Sequence, residues 1–110
     1  DYCKWLLAAG RFADLRKIAE PLLKEKDRHE FSGLLGQSAQ ATGDYGAALS
    51  FYQDHLSHYG ANINVMNSIG DCYLKLGRNA EALAIWRKSL ELSPDQDRVK
   101  KLVESLEAKK

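Results

Sequence analysis

The stretch MNSIGDCYLKLGRNAEALAIWRKSLELSP, residues 66–94, decides the fold. Before its central glycine, the residues Met66, Ile69 and Gly70 are spaced so that they share one face of a helix. Gly77 then ends that helix, because glycine tolerates the left-handed backbone conformation that closes a helix. The stretch therefore predicts two helices joined by a tight turn.

The glycines outside this stretch indicate an internal repeat. Gly10, Gly43 and Gly77 each end an amphipathic segment, and they lie 33 and 34 residues apart. Alignment on these glycines places similar residues 34 positions apart: Leu35-Gly36 opposite Ile69-Gly70, Ala48 opposite Ala82, and Tyr52 opposite Trp86. The small residues let two helices cross closely, and the aromatic residue fills the angle between them. One helix pair cannot bury its apolar face alone, so such units are expected to stack.

The composition agrees with a helical domain. A chain of 110 residues has room for one domain, and its 45% apolar and 28% charged residues are typical of a globular protein. Val, Ile and Thr are scarce beside Ala, Leu, Lys and Glu, which favours helices throughout. The predicted helices are residues 2–9, 12–27, 29–42, 45–58, 62–76, 79–92 and 95–108. Pro21 falls inside the second and is expected to kink it.

The repeated residues resemble the tetratricopeptide repeat. The pattern W-x-x-L-G-x-x-Y, A-x-x-x-F and P corresponds in the last unit to Met66, Ile69-Gly70, Tyr73, Ala82, Trp86 and Pro94. Met66 replaces the tryptophan and Trp86 the phenylalanine of the pattern. The preceding unit departs further, with Ser32, Ala39 and Gly60 at the Trp, Tyr and Pro positions. The resemblance is strong over 63–96, good over 29–62 and weak before that.

This resemblance implies an all-α fold, a right-handed superhelical stack of antiparallel helix pairs with a C-terminal capping helix. We expect a single domain, residues 1–110, made of a partial repeat (1–28), two repeats (29–62 and 63–96) and the capping helix (97–110). The predicted core comprises Leu35, Ala48, Tyr52, Ile69, Tyr73, Ala82 and Trp86, and Trp5 is expected to be mostly buried as well.

The last helix carries its own start signal. Ser93-Pro94-Asp95-Gln96 matches a capping box, with Ser93 as the N-cap residue and Gln96 as its partner three positions later. The stripe Val99, Leu102, Val103 and Leu106 follows on one face of this helix. We therefore expect the helix to cover the preceding pair.

The sequence favours neither an enzyme nor a metalloprotein. His55 and His58 are three residues apart, but zinc needs three or four ligands and no Cys, third His or paired carboxylate lies nearby in sequence. Cys3 and Cys72 belong to different repeats, too far apart for a disulfide. No nucleophile–base motif or phosphate-binding loop is present in the sequence. We therefore predict no catalytic residue, no metal and no cofactor.

Charge and hydropathy narrow the class of partner. Sixteen basic and fifteen acidic residues give a formal charge of +1 without a basic stripe, which argues against nucleic acid. No run of about 18 apolar residues occurs in the sequence, so we expect no membrane insertion. The resemblance to the tetratricopeptide repeat implies a protein or peptide partner instead.

The resemblance further implies that the partner binds in a concave groove lined by the first helix of each pair. Polar residues form one stripe on the helix predicted over 62–76, and equivalent positions 34 residues earlier are expected to lie beside them. The predicted groove residues are Glu30, Gln37, Gln40, Asn64, Asn67, Asp71 and Lys75. Their amide groups suit an extended peptide backbone, which offers both donors and acceptors.

Two other functions are consistent with the sequence. Asp1 begins within a repeat, so the chain is expected to be part of a larger protein and could be an accessory arm of an enzyme or of a secretion or assembly component. Alternatively, an exposed terminal repeat could stack on a second copy, which would make the chain a self-association module.

Overall fold

The computed structural model describes residues 2–26 and 29–108, and every regular element within them is helical. The helices are α1 (Tyr2–Ala8), α2 (Phe12–Lys26), α3 (Ser32–Ala41), α4 (Tyr45–Tyr59), α5 (Ile63–Lys75), α6 (Asn79–Leu92) and α7 (Asp97–Ala108), with a 3-10 turn at His29–Phe31 before α3. The predicted all-α fold is confirmed. Where the described residues allow a comparison, the predicted helix ends agree within three residues, and the largest difference is the 3-10 turn that replaces the start of the third helix.

The chain divides into two compact units, Asp1–Gly60 and Ala61–Lys110. The first contains α1 to α4 and the second α5 to α7.

The three repeated glycines close their helices by the same hydrogen bonds. At the end of α3, Asp44 N–H donates to the Ala39 carbonyl at 2.8 Å and Gly43 N–H donates to the Gln40 carbonyl at 3.2 Å. This arrangement is a Schellman motif, which requires a left-handed residue, and Gly43 has a φ of 85°. The helix ends at Gly10 and Gly77 have the same pair of bonds and positive φ angles. The C-cap function predicted from the glycine spacing is confirmed.

Within each unit, a glycine allows two antiparallel helices to cross closely. A Cβ on Gly36 would lie 2.5 Å from Cε1 of Tyr52, and a Cβ on Gly70 would collide with the Trp86 indole. Gly33 lies against His55 in the first unit and Asn67 bonds to Ser89 in the second, so the contacts run in opposite directions along the two helices and each pair is antiparallel. Both aromatic rings are almost completely buried. These contacts confirm the predicted pairing of α3 with α4 and of α5 with α6.

The apolar stripe of α7 contributes to the core of the second unit. Val99, Val103 and Leu106 are buried together with Ala82, Leu83 and Trp86. Leu102 is half-buried against the same cluster. The predicted packing of this helix on the preceding pair is therefore present in the structure.

The predicted capping box is wrong. Helix α7 begins at Asp97, two residues later than expected, and residues 93–96 are extended or irregular. The Gln96 side chain does not reach back to the Ser93 N–H. Its Nε2 instead donates to the Ser93 carbonyl at 2.7 Å and to Ser89. A buried hydrogen-bonding group close in space outcompetes the local capping pattern.

Two predictions about aromatic residues also need correction. Trp5 is 54% exposed, because α1 buries its neighbour Leu6 and successive residues on a helix point about 100° apart. Tyr73 is only half-buried, and the Arg78 guanidinium covers its ring at 4.9 Å from the ring centroid. The other predicted core residues are buried. Helix α2 runs through Pro21, and the kink expected there stays a prediction.

Candidate functional site

In the first unit, the predicted site residues Glu30 and Gln37 line a surface pocket of about 410 Å³. Glu30, Leu34 and Gln37 follow at spacings of four and three residues, so they share one face of the continuous 3-10 and α3 segment. Lys4 of α1 also lines the pocket, together with Phe31. Phe31 is buried and Leu34 half-buried, whereas both predicted site residues and Lys4 are exposed. The pocket therefore combines apolar walls with amide and charged groups.

The third predicted site residue of this unit, Gln40, has an internal partner. Its Oε1 accepts a hydrogen bond of 2.8 Å from the Tyr52 hydroxyl, and the Gln40 side chain is half-buried. Gln40 is not among the residues that line the pocket. It links α3 to α4.

In the second unit, the four predicted site residues lie on α5 with different degrees of exposure. Asn64 and Lys75, near the two ends of the helix, are exposed. Asn67 and Asp71 are half-buried between them. Spacings of three, four and four residues place all four side chains along one helix face, as the sequence predicted.

Asn67 belongs to a closed ring of side-chain hydrogen bonds. Its Nδ2 donates to Gln96 Oε1 at 2.7 Å, Gln96 Nε2 donates to Ser89 Oγ at 3.1 Å, and Ser89 Oγ donates to Asn67 Oδ1 at 2.7 Å. Ser89 is completely buried. The Asn67 backbone carbonyl also accepts a bond of 3.3 Å from Trp86 Nε1. The ring joins α5, α6 and the segment before α7, and it occupies both polar atoms of the Asn67 side chain.

Asp71 pairs with α7. Arg98 Nη2 donates to both carboxylate oxygens of Asp71, at 3.0 and 3.2 Å. The Arg98 side chain is 63% exposed, so this ion pair is open to solvent and contributes little to stability. An approaching ligand could therefore displace it at small cost.

The structure brings together a histidine pair that the sequence did not indicate. His29, from the 3-10 turn, stacks on His58 of α4 with ring centroids 3.5 Å apart and planes inclined by 13°. Both rings face Asp54, whose carboxylate lies 2.9 Å from His29 Nδ1 and 3.5 Å from His58 Nδ1. By sequence spacing alone, His58 lies nearer to His55 than to His29. His55 instead packs against Gly33, and its Nδ1 is buried without a hydrogen-bond partner.

Cys72 has the environment of a structural thiol rather than of a nucleophile. Its side chain is completely buried in α5. Burial, together with the negative charge of Asp71, raises the pKa of the thiol to about 11. A nucleophilic cysteine requires the opposite environment, because the thiolate is the reactive species.

Among the described helices, none has both the length and the apolar character needed to cross a bilayer. Comparison with curated proteins gives no significant match.

Comparison with protein families identifies one whose sequence pattern fits the chain. A profile of the tetratricopeptide repeat matches residues 39–106, more than half of the sequence. The matched region includes the whole of the second unit's helix pair and α4 of the first unit. Repeats of this kind generally mediate protein–protein interactions and are typically non-catalytic. Because this profile covers more than half of the sequence, the chain belongs to the tetratricopeptide repeat family.

Proposed function

We propose that the chain is an interaction module that binds an extended segment of a partner protein. Each unit would present its own binding surface, made of polar side chains on the first helix of its complete repeat, residues 29–62 or 63–96. In the first unit these are Glu30, Gln37 and Gln40, and in the second unit they are Asn64, Asn67, Asp71 and Lys75. Membership of the family supports a protein partner.

The observation that carries the proposal is the pocket beside Glu30 and Gln37. Its volume of about 410 Å³ falls within the range of pockets that hold small ligands or single side chains. Phe31 and Leu34 would contact an apolar side chain of the bound segment. The Gln37 amide, which has a donor and an acceptor, would meet the neighbouring peptide group. We therefore expect a segment with an apolar residue beside an accessible backbone.

The charged residues beside the pocket add a second preference for the sequence of the bound segment. Lys4 and Glu30 line the same pocket with opposite charges, so neither a strongly acidic nor a strongly basic segment is favoured overall. On α5, Lys75 is exposed and Asp71 is already paired with Arg98. A segment of mixed charge around one apolar residue fits these groups best.

A random peptide library displayed on phage, selected against the purified chain, tests the proposal. Selected peptides should share an apolar residue, and the double variant Glu30→Gln/Gln37→Ala should bind them at least about tenfold more weakly, the loss of two polar contacts. Both residues are exposed, so the melting temperature should change little.

The matched control is Glu25→Gln/Lys24→Ala, two exposed changes on α2 of the same unit. It should retain the parent affinity. Peptides that bind the Glu30/Gln37 variant as tightly as the parent chain would refute this binding surface. Concentration-dependent light scattering of the free chain would reveal the self-association expected of the alternative function.

A further inference from the structure

We propose that His29, Asp54 and His58 form a binding site for a divalent transition-metal ion of the zinc class. Each residue offers one ligating atom, and these atoms all lie within 4.8 Å of one another. Neutral imidazole and carboxylate groups are common ligands of zinc in proteins. The site lies within the first unit, shares no residue with the lining of the pocket described above, and does not depend on the proposed partner.

The distances match the spacing of ligands around zinc. Bonds of about 2.0–2.1 Å to nitrogen and oxygen in tetrahedral geometry separate neighbouring ligand atoms by roughly 3.3 Å. Nδ1 of His29 lies 3.2 Å from Oδ1 of Asp54, and Nδ1 of His58 lies 3.5 Å from the same oxygen. The two rings are stacked with nearly parallel planes, so one ring has to rotate out of the stack before both nitrogens point at one ion.

The backbone holds the three side chains together before any metal binds. Asp54 and His58 are four residues apart on α4, so they lie one turn apart on the same face. His29 comes from the 3-10 turn, 25 residues away in sequence, and stacks on the His58 ring. A site prearranged in this way loses little conformational entropy when it binds an ion.

Zinc binding would also require a change of hydrogen bonds within the cluster. An imidazole ligates a metal in its neutral form, through the nitrogen that carries no proton. His29 Nδ1 is hydrogen-bonded to the Asp54 carboxylate and His58 Nδ1 to the Asp54 backbone carbonyl at 3.0 Å. Zinc on Nδ1 would replace these hydrogen bonds, and each neutral ring would carry its one proton on Nε2.

Partial exposure leaves room for a further ligand. The side chains of His29, Asp54 and His58 are 24%, 25% and 43% exposed, so an ion can enter from solvent and keep a water molecule in a fourth position. Two nitrogen ligands and one carboxylate select against Ca²⁺ and Mg²⁺, which prefer complete shells of oxygen.

Isothermal titration of Zn²⁺ into the chelator-treated full chain tests the site. We expect one ion per chain and no comparable heat with Mg²⁺. His58→Gln and Asp54→Asn should each weaken Zn²⁺ binding at least about tenfold, since even residues that only support a ligand typically contribute 10–100-fold. Zn²⁺ should also raise the melting temperature of the parent and not of these variants.

His55→Gln is the control, because His55 is the histidine that is not part of the cluster, although it lies on the same helix as His58. It should bind Zn²⁺ like the parent. Circular dichroism of each variant verifies folding, and the half-exposed His58 makes His58→Gln the variant least able to disturb it. The proposal is overturned if the parent binds no Zn²⁺ at millimolar concentration, if His58→Gln and Asp54→Asn bind it unchanged, or if His55→Gln abolishes binding.

Discussion

Replacement of Gly70 by alanine should destabilise the second unit, because the added methyl group would collide with Trp86. A Cβ on Gly70 would lie 2.6 Å from Cδ1 of the indole, and two other ring atoms are closer still. Ordinary contacts begin near 3.4 Å, so the ring would have to retreat by the difference, at least 0.8 Å. Trp86 is completely buried, and a close-packed interior offers no free volume for that movement.

Two opposing contributions set the size of the effect. Overpacking of a core costs about 1–3 kcal/mol and sometimes more, and a ring blocked by several atoms belongs at the upper end. Alanine in place of glycine within a helix contributes about 1 kcal/mol in the other direction. The net loss in the free energy of unfolding should be about 2 kcal/mol. For a domain of this size, this corresponds to a fall in melting temperature of about 8 °C or more.

Gly46→Ala provides the matched control. Gly46 lies within α4, has no positive φ, and a Cβ there would meet no atom within 4 Å. The same substitution should therefore raise stability by about 0.5–1 kcal/mol through helix propensity alone. Urea unfolding followed by circular dichroism measures both variants. If Gly70→Ala proved as stable as the parent, the close crossing of α5 and α6 would be refuted.

Two further predictions concern buried side chains of the second unit. Trp86→Ala should lower the free energy of unfolding by about 3–5 kcal/mol, because it leaves a cavity in the core, and a urea-unfolding loss below about 1 kcal/mol would contradict its burial. Cys72, studied in a Cys3→Ser background, should react with a thiol reagent only upon unfolding, because burial raises its pKa to about 11. Rapid labelling of the native chain, monitored by mass spectrometry, would show that the thiol is accessible.

The helix pairs could be predicted from the sequence because their signals are local. Gly43 and Gly77 are recognisable as helix ends, since only the left-handed conformation satisfies the last carbonyl groups there. The 34-residue spacing then aligned Gly36 with Gly70 and Tyr52 with Trp86, and the structure pairs these residues within each unit as expected. A sequence period predicts helix packing reliably when every repeat needs a small residue and a large residue at the same helix crossing.

The histidine cluster could not be predicted in the same way. His29 and Asp54 are 25 residues apart, and their contact depends on how the 3-10 turn packs on α4. Close to His58 in sequence, the candidate ligands are Asp54 and His55, and of these Asp54 joins the cluster and His55 does not. Sequence spacing identifies ligands on one helix, but it does not identify a ligand that arrives from another element.

The Gln96 side chain shows why the candidate site was only partly predictable. The pattern beginning at Ser93 matches a capping box, yet Gln96 forms the ring with Asn67 and buried Ser89. If Asn67 were replaced by alanine, Ser89 and Gln96 would lose partners, at a cost of about 1–3 kcal/mol for a buried unpaired group. Weaker partner binding by such a variant would therefore have two causes, the lower stability of the fold and the lost contact with the partner. Glu30 and Gln37, which are exposed beside the pocket, allow binding to be tested separately from stability.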